Sequence, residues 1–302
     1  MLDISRKSNT LRTAVAQATL RVSADALARM RAGDLPKGDP LPVARVAAIQ
    51  AAKETPRLIP YCHPIAVDFV GVEFEIGEEQ ITITVTVKAV AKTGVEMEAL
   101  TAASVAALTA YDMLKPVDDA LAITGVVLVS KRGGKSDFRD AFDRPLRAAV
   151  VVISDSVAAG KKQDQSGQSI VARLKAEGIE VLDCAILPDD REVIRETVRT
   201  RCDEAKLDLV VTTGGTGLGP RDTTPEALAP LIEREVPGLA EAMRAYGQDR
   251  TPRAALSRSL AGVRGQTLIV ALPGSRKGVE ESLDALFPGV LHAFHMLWGE
   301  GH

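Results

Sequence analysis

The chain has 302 residues, 46% of them apolar and 25% charged, with a formal net charge of −3; that length suits roughly two domains of about 150 residues each. The near-neutral balance excludes a general nucleic-acid binder, which carries a marked basic excess, while leaving room for a local basic pocket around a phosphorylated small molecule. Three cysteines, Cys62, Cys184 and Cys202, with no CxxC pair, exclude a disulfide framework or a cysteine zinc site and suit a reducing cytoplasm.

In chain order, residues 43–54 predict a helix, with Pro42 tolerated at its start and Pro56 as its stop. Val70, Val72, Phe74 and Ile76 then alternate with other positions. After a turn at 77–80, Ile81, Ile83, Val85 and Val87 alternate with Thr82, Thr84 and Thr86. This is an antiparallel hairpin with one buried face. An Ala-rich helix follows at 95–114 and a strand at 123–130. Helices on an antiparallel sheet make the first half an α+β sandwich of ferredoxin-like type. The segment 137–145 is charged, non-periodic and closed by Pro145, which divides the chain into 1–138, a linker at 139–146, and 147–302.

Beyond the linker, Ala148-Ala149-Val150-Val151-Val152-Ile153 reads as a fully buried strand. Further strands are expected at 180–187, 207–213 and 267–272, and helices at 168–177, 191–206, 225–235 and 277–287. Alternation of this kind predicts an α/β, doubly wound, mostly parallel sheet with its ligand crevice beyond the carboxyl ends of the strands.

Four patches of the first half carry chemistry: Lys37-Gly38-Asp39; Tyr61-Cys62-His63-Pro64; the run from Lys92 to Thr101 with Glu96, Met97 and Glu98; and Tyr111-Asp112-Met113-Leu114-Lys115. Each also has a structural reading. Glu96 and Glu98 complement the dipole at a helix N-terminus, Lys115 complements it at the other end, and Met97 fits a core position. On one helix Glu98 and Asp112 lie near the same face but ~21 Å apart along the axis. A single site using both is therefore composite, with each of two subunits supplying one end. Asp112 and Lys115, three apart, act together.

Lys37-Gly38-Asp39, Ile49 to Lys53, Cys62-His63-Pro64, the run Thr93-Gly94-Val95-Glu96-Met97-Glu98-Ala99-Leu100-Thr101-Ala102-Ala103-Ser104, Tyr111-Asp112-Met113 and Lys131 to Ser136 together resemble the cyclic pyranopterin monophosphate synthase (MoaC) family over nearly all of residues 1–138. The resemblance implies conversion of (8S)-3',8-cyclo-7,8-dihydro-GTP to cyclic pyranopterin monophosphate and pyrophosphate. Such chemistry needs proton donors and acceptors around a triphosphate. It implies Lys37, Asp112 and Lys115 as catalytic and Cys62, His63, Met97 and Glu98 as substrate-binding, and Tyr61 and Glu96 beside them are further substrate-binding candidates. Lys53, Lys131 and Lys135 are phosphate-binding point charges. Two departures stand out: Tyr61 precedes Cys62 where the family has leucine, and no glycine follows Ser136.

In the second half, Thr212-Thr213-Gly214-Gly215-Thr216-Gly217 directly follows a strand, where glycines let backbone N–H groups approach an anion. Thr224 is expected to cap a helix that begins at Pro225. Ser154-Asp155-Ser156, Pro188-Asp189-Asp190 and Leu272-Pro273-Gly274-Ser275 end the other strands. Asp189 and Asp222 converging at this crest would suit Mg²⁺ beside phosphates. Residues 147–292 resemble the molybdopterin adenylyltransferases (MogA) and their relatives (MoaB). The resemblance implies transfer of AMP from Mg-ATP to molybdopterin, with Asp189 and Asp222 as the functional aspartates. Ser154, Asp155, Gly214, Gly215, Thr216, Gly217, Arg221, Gly274 and Ser275 are its binding residues. The alternative is a silent pterin-binding or oligomerisation module.

The expected partners are pterin and purine-nucleotide small molecules, with ATP and Mg²⁺ for the second half and no permanently bound cofactor. Neither nucleic acid nor membrane is expected, since no run approaches the ~20 apolar residues of a bilayer span and Met1-Leu2-Asp3-Ile4-Ser5 has no apolar signal core. The resemblance implies a cytoplasmic homo-oligomer, with a hexamer as the expected assembly.

Overall fold

A computed structural model describes residues 1–300. The chain divides into two compact units, Met1–Asp137 and Phe138–His302.

The first unit runs β1 (Thr10–Arg21), α1 (Ala24–Ala32), α2 (Pro40–Leu58), β2 (Phe69–Ile76), β3 (Gln80–Ala91), α3 (Glu96–Leu114) and β4 (Ala122–Arg132). Its four strands pair antiparallel in the order β2-β3-β1-β4. Ala14, Ala16, Ala18 and Leu20 of β1, with Ile81, Ile83, Val85 and Val87 of β3, are fully buried beneath the helices. The opposite face carries partly exposed polar residues such as Gln17 and Thr84, whose side chains are 3.3 Å apart. That alternation is what a sheet with one covered face requires. The helix layer packs alanine on alanine, with Ala99, Ala102, Ala103, Ala106, Ala107 and Ala110 of α3 all fully buried. Small side chains let α3 lie close to the sheet and to α2.

β1 and α1 escape the sequence reading because β1 is rich in alanine, which has little strand preference. Ser23 caps α1, its hydroxyl accepting from the Ala26 N–H, and Gly33 ends it in the left-handed region at φ 74°. Pro56 does not stop α2. The helix continues to Leu58 because a proline in the last turn forfeits one backbone donor while Thr55 still accepts from the Ile59 N–H.

The second unit runs β5 (Arg147–Ile153), α4 (Asp155–Ala158), α5 (Ser166–Ala176), β6 (Glu180–Leu187), α6 (Arg191–Asp203), β7 (Leu209–Thr213), α7 (Thr224–Leu228), β8 (Arg234–Glu235), α8 (Pro237–Gln248), β9 (Ala261–Arg264), β10 (Thr267–Leu272), α9 (Arg276–Leu286) and α10 (His292–Trp298). The six-stranded sheet has the order β6-β5-β7-β10-β9-β8. β6, β5, β7 and β10 are parallel, while β9 and β8 extend the sheet antiparallel. Ala148, Val150 and Val152 face one hydrophobic cluster with α5, α8 and α9, and Val151 and Ile153 face a second with α6 and α7. Both faces are covered, which is why β5 reads as an unbroken apolar run.

Three expectations are corrected. The helix expected at 225–235 is the short α7 followed by a 3-10 turn and β8, since Pro230 interrupts it. The helix expected at 191–206 ends at Asp203, and Lys206 takes φ 47° before β7. The segment 139–146, read as a linker, packs on the second unit: Phe142 stacks on His295, and Arg144 forks onto Asp208 at 2.7 Å. No described helix is long and apolar enough to cross a membrane.

Candidate functional site

In the first unit α3 carries candidate functional side chains at both ends. At its C-terminal end Asp112 collects two ammonium groups. Lys37 Nζ donates to its Oδ2 and to its backbone carbonyl, both at 2.8 Å, and Lys115 Nζ lies 2.8 Å from Oδ1. Lys37 is placed by local geometry: Gly38 at φ 76° turns the chain, and Asp39 caps α2 by accepting from the Leu41 N–H at 3.0 Å. Hydrogen bonds from Lys115 and then Lys37 hold the Asp112 carboxyl down at about 2, and Asp112 in turn raises Lys115. Asp112 and Lys115 are therefore charged at neutral pH.

At the N-terminal end Glu98 is buried, 1% exposed. The Cys62 thiol donates to its Oε1 at 3.4 Å, and Glu98 Oε2 has no hydrogen-bond partner. Burial pushes the Glu98 carboxyl up; burial first, and then the neighbouring Glu98, push the Cys62 thiol up to about 11. Cys62 is thus a thiol donor rather than a thiolate nucleophile. Glu96 Oε1 meets Lys131 Nζ at 3.1 Å. Gly94 leaves room for this, since a Cβ there would fall 1.8 Å from Glu96 Oε2. His63 Nε2 donates to the Leu2 carbonyl at 2.8 Å. Tyr61, Met97, Lys53 and Lys131 are exposed and Lys135 is half-buried. The structure thus joins Lys37, Asp112 and Lys115 in one group and Cys62 with Glu98 in another, fourteen residues away on α3.

In the second unit the loops after β5, β6, β7 and β10 meet at the carboxyl ends of the parallel strands. β5 connects outward to β6, and the chain then crosses back to β7 on its other side, so the crevice between β5 and β7 is a switch point. The crest is built by close backbone contact. Gly214 at φ 101° would place a Cβ 2.0 Å from the Ile153 carbonyl, and one on Gly274 would lie 3.2 Å from Gly214 Cα. The Asp155 N–H donates to Asp189 Oδ2 at 3.1 Å, and the Asp189 N–H donates to Asp155 Oδ1 at 3.0 Å. Arg221 covers Asp155 with a fork at 2.7 and 3.0 Å. Asp222 Oδ2 accepts from the Gly219 N–H at 2.8 Å.

Thr224 is not the cap expected of it: its hydroxyl donates to the Gly214 carbonyl at 2.9 Å, Thr223 occupies the cap position, and Thr224 is fully buried. Ser275 does cap α9, accepting from the Gly278 N–H at 3.2 Å. Burial, and then the Asp155 and Asp222 charges, push the Asp189 carboxyl up. A cation between Asp189 and Asp222 would relieve that repulsion. Two carboxylates that leave the remaining positions to phosphate oxygens suit Mg²⁺. Among the described residues no cluster of three or more His, Cys, Asp or Glu side chains forms a metal cage by itself.

A cavity of about 400 Å³ lies on this crest, bounded by Ser154, Lys162, Asp189, Gly214, Asp222 and Arg276. A second, of about 200 Å³, lies beside it, bounded by Arg244, Arg253, Ser257, Ser259, Ser275 and Lys277. The Pro273-Gly274-Ser275 turn stands between them, Gly274 on the first and Pro273 and Ser275 on the second. Sequence reading finds Ser275 but misses Lys162, Arg276 and the rest of the second cavity's lining. The one signal available was Ser257-Arg258-Ser259, polar residues just ahead of β9.

Residues 1–134 match the MoaC family, and residues 149–293 match the family described as "Probable molybdopterin binding domain". A molybdenum cofactor biosynthesis bifunctional protein of Chlorobaculum tepidum is 44% identical over 302 residues, covering 100% of this chain and 96% of the relative. A cyclic pyranopterin monophosphate synthase of Corynebacterium efficiens is 51% identical over 136 residues, covering 45% of this chain and 88% of the relative. Among solved structures, the molybdopterin biosynthesis enzyme MoaB of Thermus thermophilus is 47% identical and covers 51% of this chain and 97% of its own, with a TM-score of 0.49.

Proposed function

The chain belongs to the bifunctional proteins of molybdenum cofactor biosynthesis, and on that premise we propose that it performs two separate steps. Its first unit converts (8S)-3',8-cyclo-7,8-dihydro-GTP to cyclic pyranopterin monophosphate and pyrophosphate, and its second transfers AMP from Mg-ATP to molybdopterin. The steps are not consecutive, so the reading requires no channelling between units.

The observation that carries the first step is Asp112 held between Lys37 and Lys115 at 2.8 Å. Three charges summing to +1 attract a polyanion and keep two ammonium groups aimed at one place. An arriving triphosphate competes with Asp112 for the lysines, and a lysine released from the carboxylate can give up its proton as general acid. Lys53, Lys131 and Lys135 add phosphate-binding charge. Glu98, buried and with its carboxyl pushed up by that burial, offers Oε2 to a polar group of the purine-derived ring. Tyr61, His63, Glu96 and Met97 complete the binding surface. In a homo-oligomer of this chain the lysine–aspartate end of one α3 faces the Glu98 end of its partner, which resolves the ~21 Å between them within one helix.

For the second step, the two cavities flanking the Pro273–Ser275 turn give one place for each substrate. Mg-ATP occupies the larger, with its phosphates against Gly214, Gly215, Thr216 and Gly217 and near Ser154 and Gly274. Asp189 and Asp222 would hold Mg²⁺, which would supply neutralisation of the phosphate charge. Arg221 leaves Asp155 to meet phosphate. The pterin takes the smaller cavity, where Arg253 and Lys277 offer charge and Ser275 a hydroxyl.

Product mass analysis of the full chain tests both. One reaction holds the cyclic GTP derivative, the other molybdopterin with Mg-ATP. Cyclic pyranopterin monophosphate in the first and adenylylated molybdopterin in the second are expected. No product in the first overturns the synthase reading. Molybdopterin bound but never adenylylated in the second makes that unit a pterin-binding module.

A further inference from the structure

Arg258 lies between two serines of the smaller cavity, yet its own side chain goes elsewhere. Ser257 and Ser259 line that cavity, and their hydroxyls are 2.8 Å apart. The Arg258 N–H donates to the Thr216 carbonyl at 2.9 Å. Its Nε donates to the Gly217 carbonyl at 2.7 Å, one terminal nitrogen donates to the Asp222 carbonyl, and the other pairs with the Glu226 carboxylate. One residue therefore grips the start of the glycine loop, its end at Asp222, and the first turn of α7.

This grip matters because the loop has little conformational preference of its own: residues 214, 215, 217 and 219 are all glycine. In a trans peptide the C=O and the following N–H point in opposite directions. Fixing the Gly217 and Asp222 carbonyls on Arg258 therefore fixes the directions of the Leu218 and Thr223 N–H groups. The planar guanidinium, with donors in a rigid fork, reaches all three acceptors at once; an ammonium cannot.

We infer that Arg258 is a positioning residue that couples the two cavities, setting the Asp222 loop against the Ser257–Ser259 stretch so that Mg-ATP in one and a phosphorylated pterin in the other favour each other's binding. The inference rests on the adenylyl-transfer reading of the second unit. It adds a reciprocity that this reading does not require: each ligand must raise the other's affinity by the same factor.

Calorimetric titration of the full chain with Mg-ATP in the form of its α,β-methylene analogue, which cannot transfer its adenylyl group, with and without molybdopterin, tests this. Wild type, Arg258→Lys, Arg258→Gln and Glu226→Gln are compared. Wild-type coupling of about fivefold or more is expected, with the reverse titration giving the same factor. Arg258→Lys and Arg258→Gln should lose the coupling and bind Mg-ATP about tenfold more weakly, while affinity for molybdopterin alone stays within about threefold. Glu226→Gln, which keeps every carbonyl contact, should retain the coupling. Arg258→Lys keeps a cation and the aliphatic stem, so it reports on a folded unit even if Arg258→Gln does not fold. Wild-type affinities and coupling in Arg258→Lys overturn the inference and leave the transfer reading standing. A wild-type chain that binds no Mg-ATP overturns both.

Discussion

Asp155 and Asp189 cap each other, each carboxylate accepting the other's backbone N–H, at 3.1 and 3.0 Å. The reciprocal pair locks the loop after β5 to the loop after β6. It also turns one oxygen of each carboxylate inward to backbone, so the two groups divide their work: Asp155 goes to Arg221, and Asp189 remains beside Asp222 at the cavity. Substituting Asp189 by Ala removes both a structural acceptor and a proposed magnesium ligand. Asp189→Asn keeps the acceptor and loses the charge. Asp189→Asn should therefore keep its melting temperature while Mg-ATP affinity falls at least about tenfold, a loss of about 1.4 kcal/mol, read by calorimetry.

At α3, Asp112→Asn should abolish cyclic pyranopterin monophosphate formation, with a loss of about 10²-fold or more expected for a group that positions a proton donor. The side chains of Lys37, Asp112 and Lys115 are each at least 37% exposed. Surface pairs of this kind contribute little to stability, so the melting temperature should not move. A large drop in melting temperature would make the cluster structural.

Glu98 is distinguished by substitution chemistry. Glu98→Gln keeps a neutral hydrogen-bonding group in a buried place, whereas Glu98→Leu removes the partner of Cys62. Substrate KM should change by no more than about fivefold in Glu98→Gln and rise by at least about tenfold in Glu98→Leu, the tenfold step being about 1.4 kcal/mol. Equal losses in both would show that Glu98 acts as a carboxylate.

Gly214 combines φ 101° with a Cβ position 2.0 Å from the Ile153 carbonyl. Gly214→Ala should destabilise the second unit by about 2–4 kcal/mol, as steric strain at a positive-φ position does. Chemical denaturation followed in the second unit checks this, and a loss below ~1 kcal/mol would contradict the geometry.

Asp208 is 5% exposed and receives the Arg144 fork and the Arg147 N–H. Burial pushes its carboxyl up, but those hydrogen bonds outweigh burial and hold it below the usual range. A depressed folded-state value stabilises the fold above the unfolded value, near pH 4, and that contribution is lost as pH falls through the folded one. Arg144→Ala should cost about 1–3 kcal/mol at neutral pH and flatten the acid limb of stability below pH ~4. An unchanged acid limb would remove Asp208 as its cause.

The sequence by itself determined the elements whose residues decide locally. The hairpin of β2 and β3 shows in its alternation of Ile and Val with Thr, β5 in its unbroken apolar run, and the glycine loop after β7 in its composition. Those patterns follow from period-two burial and from backbone freedom, and neighbours in sequence suffice to read them. β1 stayed hidden because its alanines become core only when α3 lies above them. The fate of 139–146 turned on Asp208, which is 64 residues from Arg144. Thr224 lost its expected cap role to the Gly214 carbonyl, and the Ser257–Ser259 stretch became a cavity wall only once α8, α9 and the turn after β10 were assembled around it. Each of these rests on a partner distant in the chain, and only the folded packing supplies that partner.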